Sequence, residues 1–98
     1  MLEHHRARPI DELLAEFLRD SGLEQPLLEK RLMDLWPEVV GQMAAQLTSR
    51  LEIRNGVLYA YVRSAALKAE LFQCRQLLVE RLNERAGGRV IFDIRLLG

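Results

Sequence analysis

Asn55 and Gly56 lie between two short runs of alternating apolar and polar residues, at positions 51–54 and 57–62, and this pattern constrains the fold most. Both residues tolerate positive φ, as the two central positions of a type I′ turn require, so the pattern predicts a β-hairpin. A two-residue turn also sets the register of the two strands. The predicted cross-strand pairs are Arg54 with Val57, Ile53 with Leu58, Glu52 with Tyr59, Leu51 with Ala60 and Arg50 with Tyr61.

Strand alternation gives this hairpin two different faces. The predicted inner face is apolar and belongs to the core; it carries Leu51, Ile53, Leu58, Ala60 and Val62. The predicted outer face is cationic and aromatic; it carries Arg50, Arg54, Tyr59, Tyr61 and Arg63. We therefore regard the outer face as the candidate functional surface.

The outer face favours contact with single-stranded nucleic acid. Aromatic rings stack on bases of any identity, at about 1 to 3 kcal/mol per base, while arginines contact phosphates. Arg95, in the last predicted strand, is included as a further phosphate contact. Three other interpretations remain open: a solvated surface in which the rings pack between arginine stems, a contact with an acidic protein surface, and self-association through an unpaired strand edge.

Length and hydropathy indicate one globular unit. With 98 residues, 49% of them apolar, the chain is predicted to form a single domain at residues 9–98, preceded by a flexible arm at residues 1–8. It contains no apolar run of the roughly 18 to 20 residues that cross a membrane, and its N-terminus lacks the apolar centre of a signal peptide. These features predict a cytoplasmic protein without membrane contact.

The net charge is zero, but the two halves of the chain differ in sign. Residues 1–49 carry five basic and nine acidic side chains, whereas residues 50–98 carry nine basic and five acidic ones. Such a dipolar chain can present a basic surface to a polyanion and an acidic surface to another protein. The predicted outer face lies in the basic half.

Helical periodicity dominates the first half of the chain. It predicts an apolar stripe at residues 10–18, a helix stop at Gly22 and a second helix from Pro26. Pro37 is predicted to kink or split the second helix, because proline removes a backbone donor and disfavours α geometry in the residue before it. Trp36 is interpreted chiefly as a core residue beside this break, and alternatively as a partly exposed anchor for a partner protein.

The second half continues with a helix and a last strand. Ser64 is a predicted N-cap for one long helix that ends at Gly87 and whose buried seam includes Leu71, Cys74 and Leu78. Residues 90–97 alternate in hydropathy and predict a strand. The order ααββαβ then predicts an α+β fold, a three-stranded sheet with one face covered by helices.

Catalytic and metal-binding patterns are missing from the sequence. It has no glycine-rich phosphate loop and no His-Glu-x-x-His pattern, and its only histidines, His4 and His5, lie in the predicted arm. Cys74 is the only cysteine, so neither an internal disulfide nor a thiolate-cluster zinc site is expected. We therefore predict a protein that is not an enzyme and needs neither a cofactor nor a metal.

The segment LWPEVVG at residues 35–41, followed by the hairpin text LYAYV and then by Ser64 and a leucine-seamed helix, resembles the DciA family of bacterial helicase loaders. The resemblance covers about residues 8–97. It implies a KH-like α+β domain, contact with the DnaB-type replicative helicase, and affinity for DNA. A KH domain that clamps nucleic acid uses a Gly-x-x-Gly loop between two helices, but no glycine occurs from residue 57 to residue 86.

The resemblance favours a DNA-replication adaptor that recruits the DnaB-type helicase and contacts single-stranded or forked DNA. The alternative is a stand-alone module that binds single-stranded DNA or RNA without helicase contact. We expect a monomer or a weak homodimer. Mixing the protein with the replicative helicase and looking for a complex distinguishes the adaptor from the stand-alone module.

Overall fold

The computed structural model describes residues 10–98, so the predicted arm at residues 1–8 lies outside the described residues. Within residues 10–98 there are six helices: α1 (Ile10–Asp20), α2 (Glu24–Asp34), α3 (Trp36–Val40), α4 (Gln42–Gln46), α5 (Ala65–Gln73) and α6 (Arg75–Ala86). The same part of the chain contains three strands: β1 (Thr48–Arg54), β2 (Val57–Val62) and β3 (Asp93–Leu97). The predicted α+β fold with a three-stranded sheet is confirmed. No helix in residues 10–98 is long and apolar enough to cross a membrane.

The sheet has the strand order β1-β2-β3, with β1 antiparallel and β3 parallel to the central strand β2. All five predicted cross-strand pairs of the hairpin are present. The turn residues Asn55 and Gly56 have φ values of 52° and 78°, as a type I′ turn requires. Near the start of β1 the register shifts, so that Thr48 lies opposite Val62.

The core lies between the inner face of the sheet and helices α2, α3, α5 and α6. From the sheet it receives Leu58, Ala60, Val62 and Ile94, each at most 1% exposed. From the helices it receives Leu32, Trp36, Leu71, Leu78, Val79, Leu82 and Ala86. Leu51 and Ile53 of β1 are only partly buried against this cluster. The inner face predicted from strand alternation is therefore the side that the helices cover.

The break predicted at Pro37 is confirmed, because α2 ends at Asp34 and Pro37 lies in the first turn of α3. A second break follows at Gly41, whose φ of 98° is incompatible with a continuing helix. The short helix α4 starts there in a new direction. Met43, the second residue of α4, is 73% exposed.

The single long helix predicted after Ser64 is divided into α5 and α6 at Cys74. The Ser64 N-cap is confirmed, since its hydroxyl accepts the Leu67 N–H at 3.1 Å. The prediction that Cys74 is buried was wrong: its thiol is exposed and contacts the Glu70 carbonyl at 3.5 Å. The Cys74 N–H bonds to Leu71 three residues back, which tightens the chain and ends the α-helical repeat.

The last strand is shorter than predicted, because residues 90–92 are held by a side chain rather than by the sheet. The Asn83 amide oxygen accepts the N–H groups of Val90 at 2.9 Å and Ile91 at 3.0 Å, and its nitrogen donates to the Ile91 carbonyl at 2.8 Å. Val90 and Ile91 are both buried, whereas strand alternation would expose one of them. Phe92 then donates its N–H to the Gly56 carbonyl at 2.8 Å, which ties this segment to the hairpin turn.

The apolar stripe predicted for α1 exists, but no residue of α1 is buried. Ile10 is 76% exposed and Phe17 is 59% exposed, and Leu13 and Leu14 are also largely exposed. The helix packs against α2 rather than against the sheet. It adds little to the core of the described residues.

Candidate nucleic-acid interface

The outer face is a flat array of side chains from all three strands. Strand register places these side chains in three rows. The rows are Arg50–Tyr61–Leu97, Glu52–Tyr59–Arg95 and Arg54–Val57–Asp93. The parallel pairing of β3 therefore puts Arg95 directly beside Tyr59 on this surface. Five of the six predicted nucleic-acid contacts come together here.

Each tyrosine of the outer face is paired with an arginine from β1. The guanidinium carbon of Arg54 lies 4.5 Å from the centre of the Tyr59 ring, and that of Arg50 lies 5.1 Å from the centre of the Tyr61 ring. Such cation–π contacts contribute about 0.5 to 1 kcal/mol at exposed sites. Because both arginines remain about 60% exposed, their N–H groups are accessible to a phosphate or to the edge of a base.

Two carboxylates each lie between two arginines and partly offset the positive charge. Glu52 contacts Arg50 at 3.0 Å and Arg54 at 3.9 Å. Asp93 contacts Arg95 at 3.3 Å and Arg75 at 3.9 Å. Arginines therefore outnumber carboxylates on this surface, and the carboxylates hold the arginine side chains in defined orientations.

Arg63 has a separate position at the end of β2. Its guanidinium donates to the Gln46 carbonyl at 2.6 Å, and its N–H donates to the Leu47 carbonyl at 2.9 Å. These bonds connect the end of α4 to the hairpin. Arg63 is exposed, but its contacts in the structure are with α4 and the residue after it rather than with the two tyrosines.

Comparison with known proteins identifies the family of the chain. The family model described as Dna[CI] antecedent, DciA, matches residues 9–96, which include every helix and strand described above except the last residue of β3. The chain belongs to the DciA family. That family is associated with loading of the replicative helicase DnaB. No curated protein and no solved structure matches the chain.

Trp36, in the segment that carries the resemblance to the DciA family, is a core residue. Its side chain is 1% exposed, and its indole N–H donates to the Thr48 hydroxyl at 3.0 Å. Thr48 in turn donates to the Ala44 carbonyl at 2.8 Å. The alternative prediction of Trp36 as an exposed partner anchor was wrong, because a ring buried in this way has no surface to offer a partner. It connects α3, α4 and the start of β1.

Sequence reasoning missed a third arginine–aromatic pair in this DciA-family protein. The guanidinium carbon of Arg75 lies 4.0 Å from the centre of the Phe72 ring. Their spacing of three residues within a predicted helix was a usable signal, because residues at i and i+3 are neighbours on a helix surface. The contact between Arg75 and Asp93 had no such signal, since it joins residues 18 positions apart.

Among residues 10–98, no group of three or more histidine, cysteine, aspartate or glutamate side chains is placed to hold a metal ion. The same residues contain no buried side-chain nitrogen or oxygen without a hydrogen-bond partner.

Proposed function

We propose that this protein is a DNA-replication adaptor without catalytic activity that recruits the DnaB-type replicative helicase and contacts single-stranded or forked DNA through its outer face. The observation that carries the proposal is the family match over residues 9–96. The association of that family with DnaB loading supports the helicase half of the proposal. The arginine–tyrosine pairs support the DNA half.

The outer face suits single-stranded DNA better than duplex DNA. Among residues 10–98 it is a sheet surface whose core helices pack on the opposite face, and its two tyrosines lie in adjacent rows beneath Arg50 and Arg54. A base of any identity can stack on the free side of a guanidinium or displace it and stack on the ring. Arg95 and the arginine N–H groups then contact phosphates. This arrangement predicts binding without sequence preference.

A KH-type clamp is not part of this proposal. Such a clamp needs a glycine-containing loop between two helices, whereas α5 and α6 are separated by the single residue Cys74. The DNA contact is therefore assigned to the sheet.

Loading by binding alone requires that the adaptor prefer one conformation of the helicase over another, since a ligand shifts an equilibrium only by its differential affinity.

The helicase half is tested by mixing the full chain with the DnaB-type helicase of the same organism at micromolar concentrations and separating the mixture by gel filtration. We expect a complex that elutes before either component. Separate elution of the two proteins would contradict recruitment and leave the stand-alone nucleic-acid module as the better proposal.

The DNA half is tested with the double variant Arg50→Ala, Arg54→Ala. We expect weaker binding to single-stranded DNA, and a dependence of log affinity on log salt that is shallower by about 1.4, which corresponds to two lost phosphate contacts. The matched control is Lys30→Ala with Arg81→Ala, which removes the same charge from the helical side. The Arg50→Ala, Arg54→Ala variant should still form the helicase complex. Equal loss in the two double variants would exclude a specific role for the outer face.

A further inference from the structure

The strongest unassigned feature outside the hairpin is the pair formed by Phe72 and Arg75 at the break between α5 and α6, which we call the junction pair. The guanidinium of Arg75 is closer to its ring, at 4.0 Å, than those of the two pairs on the outer face. Arg75 also donates to the Phe72 carbonyl at 3.0 Å. These two contacts hold the guanidinium over the ring.

The junction pair is connected to the outer face through Asp93. Arg75 lies 3.9 Å from one oxygen of Asp93, whose other oxygen lies 3.3 Å from Arg95. Asp93 also occupies the same row as Arg54, two strands away. Since neighbouring strands are about 4.8 Å apart, roughly 10 Å of sheet separates Arg54 from Asp93. The junction pair therefore borders the β3 edge of the outer face, next to Asp93 and Arg95.

Core packing does not require Phe72 at this position. The neighbouring Leu71 is 6% exposed and supplies the buried contact of this turn, whereas Phe72 is 54% exposed. The break at Cys74 separates Phe72 from the buried seam that continues at Leu78 and Val79. An exposed ring beside a guanidinium offers an apolar face on which a base can stack.

We propose that the path of single-stranded nucleic acid continues from the outer face over β3 to the junction pair, where Phe72 and Arg75 provide a third stacking position and a further phosphate contact. This inference rests on the proposed DNA contact of the outer face. Charge and geometry favour a nucleic acid as the occupant. Asp93 is already shared by Arg75 and Arg95, and both arginines can still contact an anion. Three arginine–aromatic pairs match the repeated bases of a nucleic acid better than they match an acidic peptide.

The test compares the full chain with the variant Phe72→Ala, Arg75→Ala, using oligothymidylates of about four and about twelve nucleotides, lengths within the site sizes known for single-strand binders. We expect the variant to bind the longer oligonucleotide about tenfold more weakly and the shorter one with nearly unchanged affinity, because the shorter strand already fits on the outer face. The matched control is Leu77→Ala with Arg81→Ala, an exposed leucine and arginine on α6, which should bind both strands like the wild type.

A second variant, Phe72→Leu, keeps the apolar side chain but removes the flat ring, and it should lose the same length-dependent affinity if stacking is the cause. Its thermal unfolding curve should match that of the wild type. Unchanged affinity of both junction variants for the longer strand would overturn the extension, while the Arg50, Arg54 variant still reports separately on the outer face. Absence of binding by the wild type at either length would overturn both DNA proposals.

A different partner would also give a distinct result. If the junction variants keep their affinity for both oligonucleotides but lose the helicase complex in gel filtration, the junction pair belongs to a protein interface. That outcome would overturn the nucleic-acid proposal for this surface and leave the outer face unaffected.

Discussion

The inner and outer faces of the β1–β2 hairpin are built from the same strands but differ in every physical respect. On the inner face Leu58 and Ala60 are completely buried. On the outer face Tyr59 and Tyr61 are only half-buried, beneath arginines that remain exposed. The comparison shows how strand alternation places the side chains of one strand in two environments: one set is buried in the core, while the next presents charge and aromatic rings at the surface.

The largest effect is expected from the inner face. Leu58→Ala should reduce the free energy of unfolding by about 2 to 5 kcal/mol, because it opens a cavity in the centre of the core. Urea denaturation followed by circular dichroism measures this change. The matched control is Arg54→Ala on the outer face, which should cost less than about 1 kcal/mol. If the two variants lost similar free energies of unfolding, the inner face would not be the main source of stability in the hairpin.

An intermediate effect is expected at the turn that joins the two strands. Gly56→Ala should destabilise the fold by about 1 to 2 kcal/mol through its positive φ alone. It should cost more than that because the new Cβ would lie 2.7 Å from the Phe92 ring. Gly22→Ala is the matched control, since Gly22 has φ +74°, close to the +78° of Gly56, and an added Cβ there meets nothing within 4 Å.

The difference between the two glycine variants isolates the contact with Phe92. Thermal or urea unfolding of Gly56→Ala, Gly22→Ala and the combination Gly56→Ala with Phe92→Ala provides the measurement. Removing the ring should make the Gly56 substitution no more costly than the Gly22 substitution. A Gly56 variant that is already as stable as the Gly22 variant would show that the ring moves away without cost.

The smallest effect is expected from a single charge on the outer face. Glu52→Gln removes the carboxylate between Arg50 and Arg54 while keeping its shape. We expect single-stranded DNA to bind about two- to fivefold more tightly, corresponding to about 0.4 to 1 kcal/mol for an exposed ion pair. Titration at several salt concentrations should show the gain shrinking as salt rises. Glu84→Gln on α6, which makes the same charge change, should leave binding unchanged; an equal gain there would indicate a nonspecific effect of net charge.

The register of the hairpin was predictable because it depends on two adjacent residues and on strand alternation. The Ser64 cap and the break at Pro37 were predictable for the same reason, since each is a contact within one turn of the chain. Cys74 was not. The residues on either side of it have good helical periodicity, and in the folded chain α5 and α6 contact the sheet as two separate helices.

In the candidate site, too, local features were predictable from the sequence and long-range contacts were not. Arg50, Arg54, Tyr59 and Tyr61 were assigned to the outer face from the sequence, and the strand register confirms that they share it. Arg63 instead contacts α4 and the residue after it. Trp36 is buried by packing against residues far from it in the chain, and its indole N–H donates to Thr48, 12 residues away, so the sequence left its role open. Asn83 likewise acts on Val90 and Ile91 through a loop whose conformation has no periodic signal.

The sequence by itself determined the hairpin, the two faces of its strands and the absence of recognisable catalytic motifs, because these features depend on residue type and on neighbours in the chain. Only the tertiary structure decided that β3 lies parallel beside β2, and that Asp93 joins Arg95 to Arg75. Those contacts bring together residues from separate elements, and their geometry is set by packing of the helices on the inner face. The proximity of the junction pair to the outer face therefore exists only in the folded chain.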